Sequence, residues 1–525
     1  MEGRAARAAC IALLFCIPFA LYGQNLDDYF VGDDFDFLVS IHDQPPRYFF
    51  ERLYDNEAGL VWQDAGFDAA LGHGYLRPVK IWLLKANQLV SGTDPFGYHL
   101  TSTLVFSGLV IAVFLLAEAL LPGRRHFALL AAAGTAMHPT FAEIVPFITA
   151  RDEALAALFG VAALHAFVRF RSSGASPLPF YAFYALALLS KESAFLVAAV
   201  AVGYDVVYGY ADPRTREGRR RALAAHGPTL LLLTGYFSLR FVAFGNFKGG
   251  DVGETHFTSI DALLRFHGWF FKSLIAPSQL ALPAPRLVGA LCLLFVGGAS
   301  AFVMLRRDRR RYARLLLFVG PIWYLGATGL LHGTYFTTRH HGMAVIGLAL
   351  LGCVLLAGVT ERISLARQRA FAAALLVVCA LAFVPPTRAL SRSYDAASGV
   401  VSRVRQAIDD ATRHLPDGCA VHVKNVPQQT ERPWYFGWGL RSALSRPFTR
   451  GDLANRCVVV NHRNLALTKA KIAMPARFDL VIDLDVVRGG PDPQRPRAGD
   501  RRERVQRAPG GARSGPSPRR TDRRP

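Results

Sequence analysis

Apolar stretches of roughly 16 to 22 residues recur between Ala8 and Phe383, each parted from the next by a polar break, and stretches of that length can cross a ~30 Å bilayer core as helices. The pattern predicts eleven spans, near 8–24, 98–121, 127–141, 153–168, 178–190, 193–210, 227–244, 286–305, 314–331, 342–359 and 370–385. The first polar interval, 25–97, is too polar for a connector and too patterned for disorder. Within it, 35–53 mixes aromatic and charged residues as an interfacial helix does, and 76–89 is amphipathic after Gly72-His73-Gly74. Residues 261–283, with Trp269, Phe270, Phe271 and Lys272, read as a third surface helix.

From Ser391 the periodicity changes. It predicts a helix near 391–414, a strand at 420–425, a helix near 434–446, and strands at 457–461 and 479–485, the last two apolar enough to be buried parallel strands. The expected fold is therefore mainly α: a polytopic membrane protein with about eleven transmembrane helices, plus a small extracytoplasmic α/β domain. The expected domains are 1–385 in the membrane with its outer loop 25–97, 386–490 as the α/β domain, and a basic tail at 491–525. That tail, rich in Arg, Pro and Gly, cannot bury a core and is expected to be disordered. No internal repeat of 30 to 40 residues is visible.

Charge then sets the orientation. With Arg4 and Arg7 inside, alternate loops carry Arg124-Arg125, Arg169 with Arg171, Arg214 to Arg221, Arg306 to Arg314 and Arg362 to Arg369, all on the cytoplasmic side. The amino terminus is thus expected inside and the carboxyl terminus outside, with the first span kept rather than cleaved as a signal peptide. The 525 residues are 52% hydrophobic with mean hydropathy +0.23, too apolar for an ordinary soluble protein. The net charge of +21 lies largely in the cytoplasmic loops and the tail, which argues against a nucleic-acid partner. Ala- and Arg-rich composition with short loops favours a bacterial inner membrane. Five of the seven cysteines fall in spans; Cys419 and Cys457 lie outside, where a disulfide between them is open.

Candidate chemistry gathers on the outer side. Asp33 and Asp34 are adjacent, and mutual repulsion can raise one pKa toward general-base work, although a solvated acidic turn reads the same. Glu143, in His138-Pro139-Thr-Phe-Ala-Glu143, sits in an apolar run where a lone carboxylate is costly; it either neutralises Arg151 or orients a ligand. Lys191 stands in the tight turn Ser190-Lys191-Glu192, on the face that otherwise avoids positive charge. Arg77 and Arg339 fall on the same side, and Arg151 offers a planar fork that suits phosphate. The adjacent His340 and His341 invite a metal, but neighbouring side chains seldom converge on one ion without further ligands.

These residues resemble a known family, the transmembrane-and-TPR O-mannosyltransferases of the GT-C superfamily. The likeness rests on Asp94-Pro95-Phe96-Gly97-Tyr98-His99-Leu100, on Arg77-Pro78, on His138-Pro139 followed by Glu143 and Arg151, on Leu188-Leu189-Ser190-Lys191-Glu192, and on the acidic pair. It covers roughly residues 20–360. The departures are Val145-Pro146 in place of Ala-Trp, Thr338-Arg339-His340 in place of Glu-Arg-Tyr, and an α/β region in place of helical repeats.

The resemblance implies an integral membrane, GT-C-type inverting glycosyltransferase that moves a sugar from a polyprenyl-phosphate donor to an acceptor on the outer face. It implies Asp34, with Asp33 beside it, as base or acceptor-orienting acid, and Glu143 as an orienting group. Arg77, Arg151, Lys191 and Arg339 would hold the lipid phosphate. The implied partners are the lipid-linked donor, an extracytoplasmic protein, lipid or glycan acceptor, and the bilayer. No cofactor is firmly implied, and a divalent metal stays open. The competing reading is a transporter or lipid flippase, which should carry ionisable residues near mid-span and two related halves.

Overall fold

The computed structural model describes residues 2–47, 76–210, 214–244, 297–306, 310–320, 338–426, 433–437, 439–461 and 477–484. The surface helix expected at 261–283, the tail at 491–525 and most of the spans expected at 286–305 and 314–331 lie outside those residues. The described chain is mostly helical. It divides into two units, Met1–Ser402 with Gln428–Leu440, and Arg403–Pro427 with Arg441–Pro525.

The first unit holds α1 (Glu2–Tyr22), α2 (Asp34–His42), α3 (Pro78–Ser91), α4 (Pro95–Leu120), α5 (Arg125–Met137), α6 (Arg151–Ser173), α7 (Leu178–Ser190), α8 (Leu196–Tyr208), α9 (Arg216–Phe244), α10 (Arg310–Leu317) and α11 (Gly342–Val359). Helix α12 (Leu365–Thr412) contributes to both units. Six described helical stretches are long and apolar enough to cross a membrane: Arg4–Asn25, Pro95–Leu120, Ile148–Ser173, Arg216–Ala243, Arg339–Val359 and Leu365–Thr412. Helices α5 and α8 have 13 residues each and rise only about 20 Å, short of a bilayer core. Helices α4 and α6 pack at the centre, and Asp94 caps α4 by accepting a bond from the Phe96 amide at 3.0 Å.

Several expectations change. The helix from 35 ends at His42, because Pro45 and Pro46 follow and the Lys85 ammonium caps the carbonyls of Ile41 (2.7 Å) and His42 (3.1 Å). The span at 370–385 and the helix at 391–414 are one helix of 48 residues that carries Pro385 and Pro386 internally. The helix expected at 434–446 is present only as the short α13 (Leu440–Ala443). Helix α3 is amphipathic as read, but its polar face is the covered one: Lys80, Lys85 and Asn87 are buried while Leu89 and Val90 are 63% and 86% exposed.

In the second unit, β1 (Ala420–Lys424) pairs in parallel with β2 (Val458–Asn461) and β3 (Leu480–Asp483), in the order β2-β1-β3. The register sets Ala420 opposite Val458 and Val421 opposite Leu480. A short helix α14 (Leu453–Arg456) precedes β2. Cys419 and Cys457 are joined by a disulfide at the start of these two strands, with Cα atoms 4.6 Å apart.

Candidate active site

The acidic pair is held at the mouth of α2. Gly32, at φ +58°, turns the chain so that Asp33 occupies the helix N-cap and Asp34 its first residue. The two acids then part company. Asp34 is fully buried; its Oδ1 accepts from the Thr149 amide at 2.9 Å and its Oδ2 from the Val31 amide at 3.2 Å. Burial pushes its pKa up to about 7, although both amides pull it down, and the neighbouring Asp33 adds to the rise. Asp33 is half-buried and close enough to Lys80 for its charge to be felt there.

Thr149 belongs to the single turn Ile148–Ala150 that starts α6, and the next residues of α6 build the rest of the site. Asp152 and Glu153 lie in its first turn, where the helix dipole favours negative charge. Arg77 donates from Nη1 to Asp152 Oδ2 at 2.6 Å, and from Nε and Nη2 to the two oxygens of Glu192 at 3.1 and 2.6 Å. Lys80 Nζ lies 3.9 Å from the same Asp152 oxygen and 3.7 Å above the Phe37 ring. Lys191 pairs with Glu153, whose Oε1 also lies 2.5 Å from His340 Nδ1.

Burial brings the Lys80 ammonium down to about 8 against the pull of Asp152, with Arg77 adding to the fall. Burial alone would raise Glu192, but Arg77 holds its carboxyl well below the usual range. The result is a chain of alternating charge that runs from α3 across α6 to the turns at Lys191 and Thr338–His341. Such a network can exchange one carboxylate for another anion without stranding a cation.

The remaining sequence candidates occupy different places. Arg151 is fully buried and points away from that chain, donating to Ser102 Oγ (3.1 Å), Asn87 Oδ1 (2.7 Å) and the Tyr98 carbonyl (2.6 Å). It ties α3, α4 and α6 together. Glu143 is buried in the turn Pro139–Glu143, which packs on the turn Thr338–His341. The Arg339 guanidinium lies 5.7 Å over the Phe147 ring, and a β-carbon at Gly32 would stand 3.5 Å from that same ring. Phe147 thus links Arg339 to the corner that presents the acidic pair.

The sequence assigns no role to Lys80 or Phe147, and it shows Asp152 and Glu153 only as the residues that follow Arg151. Lys80 had a signal, since it stands three residues from Arg77 on one helical face. Among the described residues no three His, Cys, Asp or Glu side chains converge as metal ligands.

The chain is that of an integral, multi-pass helical membrane protein with a charged site at the ends of its helices. In sequence it resembles protein O-mannosyl-transferases. It is 28% identical over 210 residues to the protein O-mannosyl-transferase TMTC3 of Mus musculus, covering 39% of this chain and 22% of that protein. It is 32% identical over 147 residues to the protein O-mannosyl-transferase Tmtc1 of Drosophila melanogaster, covering 28% of this chain and 16% of that one. The chain therefore matches about a fifth of the length of these relatives. No family model matches. Among solved structures, ArnT from Cupriavidus metallidurans bound to undecaprenyl phosphate overlaps with a TM-score of 0.44 at 14% identity, over 88% of this chain and 87% of that one.

Proposed function

We propose that the chain is an inverting membrane glycosyltransferase, taking a sugar from a polyprenyl-phosphate donor and passing it to a hydroxyl of an extracytoplasmic acceptor. The observation that carries this reading is the half-buried Asp33 set at a helix mouth beside exchangeable cations, on a chain similar to O-mannosyl-transferases. Asp33 accepts the hydroxyl proton as the acceptor oxygen bonds to the anomeric carbon. The bond from that carbon to the donor phosphate breaks, and the phosphate leaves with the electron pair. Lys80 and Arg339 meet its growing charge, with Arg77 and Lys191 turning from their carboxylates toward it. The Arg77 fork suits a phosphate as well as it suits Glu192.

Within this scheme Asp34 and Arg151 are positioning residues. The first is enclosed by Val31 and Thr149, the second by α3 and α4. Glu143 orients the turn that carries Arg339. The donor's lipid tail stays in the bilayer throughout. The outer face is supported by the distribution of Arg and Lys among the loops and by the Cys419–Cys457 disulfide, which suits an oxidising compartment such as a periplasm. A bacterial inner membrane is the setting we propose.

The test uses purified protein in nanodiscs, a panel of polyprenyl-phosphate sugars and a membrane extract as acceptor. We expect release of free polyprenyl phosphate from one donor, lost with Lys80→Ala. No release from any donor by well-folded protein would overturn the assignment.

A further inference from the structure

A segment far along the chain returns to the acidic pair. Residues 433–440 read Pro-Trp-Tyr-Phe-Gly-Trp-Gly-Leu, and this strap packs with the first unit rather than the second. The Gly32 amide donates to the Tyr435 carbonyl at 2.9 Å, and the Phe436 ring stacks on Phe35 at 6.2 Å. Two glycines make the approach feasible. A β-carbon at Gly439 would fall 2.4 Å from the Gly32 carbonyl oxygen, and Gly437 adopts φ +51° with its missing side chain 3.3 Å from Asp33 Oδ1. That same point lies 3.8 Å from Trp434 Cβ, so Asp33 and Trp434 flank one glycine. Tyr435 and Phe436 are buried anchors, whereas Trp434 is 54% exposed.

A half-exposed tryptophan that shares one glycine with a carboxylate has a characteristic ligand. The aromatic face packs against the C–H face of a pyranose ring, while the carboxylate accepts from its hydroxyls. A serine or threonine side chain, the hydroxyl of a peptide acceptor, has no comparable flat apolar face. We propose that the strap is the acceptor-binding wall of the site and that the acceptor is a carbohydrate, its sugar ring stacked on Trp434 with a hydroxyl at Asp33. This deepens the transferase reading and rests on it for the word acceptor. Carbohydrate binding at the strap stands independently.

The experiment is saturation-transfer NMR on the full chain in nanodiscs, titrated with a panel of defined neutral oligosaccharides and, in parallel, with serine- and threonine-containing peptides. We expect saturation of sugar ring protons from at least one oligosaccharide. Its affinity should fall about tenfold in Trp434→Ala, be largely kept in Trp434→Tyr, and fall in Gly439→Ala, which pushes the strap off Gly32. Binding unchanged in Trp434→Ala, peptide binding alone, or no oligosaccharide binding by folded wild type would each overturn the proposal. Oligosaccharide binding that depends on Trp434, without release of polyprenyl phosphate from any donor, would overturn the transferase reading and leave this inference standing.

Discussion

Helix α6 carries a buried arginine–aspartate system at each end, and the two ends are built differently. At its carboxyl end, Arg171 donates to both oxygens of Asp205, at 2.8 Å from Nε to Oδ1, and His226 Nε2 lies 2.9 Å from Oδ2. The rings of Phe167, Phe170 and Tyr210 stand 5.6, 5.1 and 5.6 Å from the guanidinium. One acid serves two partners inside an aromatic shell, and the cluster staples α6, α8 and α9. At the amino end, Asp152, Glu153 and Glu192 are shared among Arg77, Lys80, Lys191 and His340, with Asp33 half-open beside them. A closed pair holds helices. A shared, redundant network can release a cation to an incoming anion. Burial and ion pairing alone therefore do not mark a site; redundancy next to an accessible acid does.

The contrast is broken most strongly at Asp33. Asp33→Asn should lower transfer by roughly 10²–10⁴-fold, the usual yield of a general base, while thermal stability holds because the Asp33 side chain makes no capping hydrogen bond to α2. Parallel rate and melting measurements check both halves. Asp205→Asn should do the reverse: it leaves Arg171 buried beside a neutral partner and costs on the order of 3 kcal/mol, with turnover per folded molecule unchanged. Denaturation in detergent reads the loss.

Arg77→Lys keeps the charge but loses the fork. It should lower kcat about tenfold and weaken the donor-side KM less, since the point charge still reaches Asp152. The smallest effect concerns pH. With its pKa pushed up to about 7, folded Asp34 binds its proton more tightly than the unfolded chain does. Its stabilising contribution is present below about pH 4 and lost as pH rises through 7. Melting temperature should fall across that interval, and Asp34→Asn should flatten the slope.

Apolar runs placed the long helices and the three strand positions well, because burial in a membrane or a sheet writes itself into local composition. The acidic pair and Lys191-Glu192 were visible for the same reason, as charges set among apolar neighbours. What local pattern could not supply was pairing at a distance. Lys191 on the outer face invited a phosphate, yet in the structure it meets Glu153, 38 residues away. The resemblance puts Asp34 forward as the base with Asp33 beside it, yet Thr149 closes over Asp34 and leaves Asp33 the half-buried acid of the pair. The pattern predicts a helix near 434–446, whereas a positive φ at Gly437 and the close approach of Gly439 to Gly32 forbid one across the strap.

The most direct measurement is the initial rate of polyprenyl phosphate release by wild type and Asp33→Asn, at matched amounts of folded protein in nanodiscs. The account predicts release by wild type and a loss of at least about 10²-fold in Asp33→Asn. Release at the wild-type rate from Asp33→Asn would contradict it.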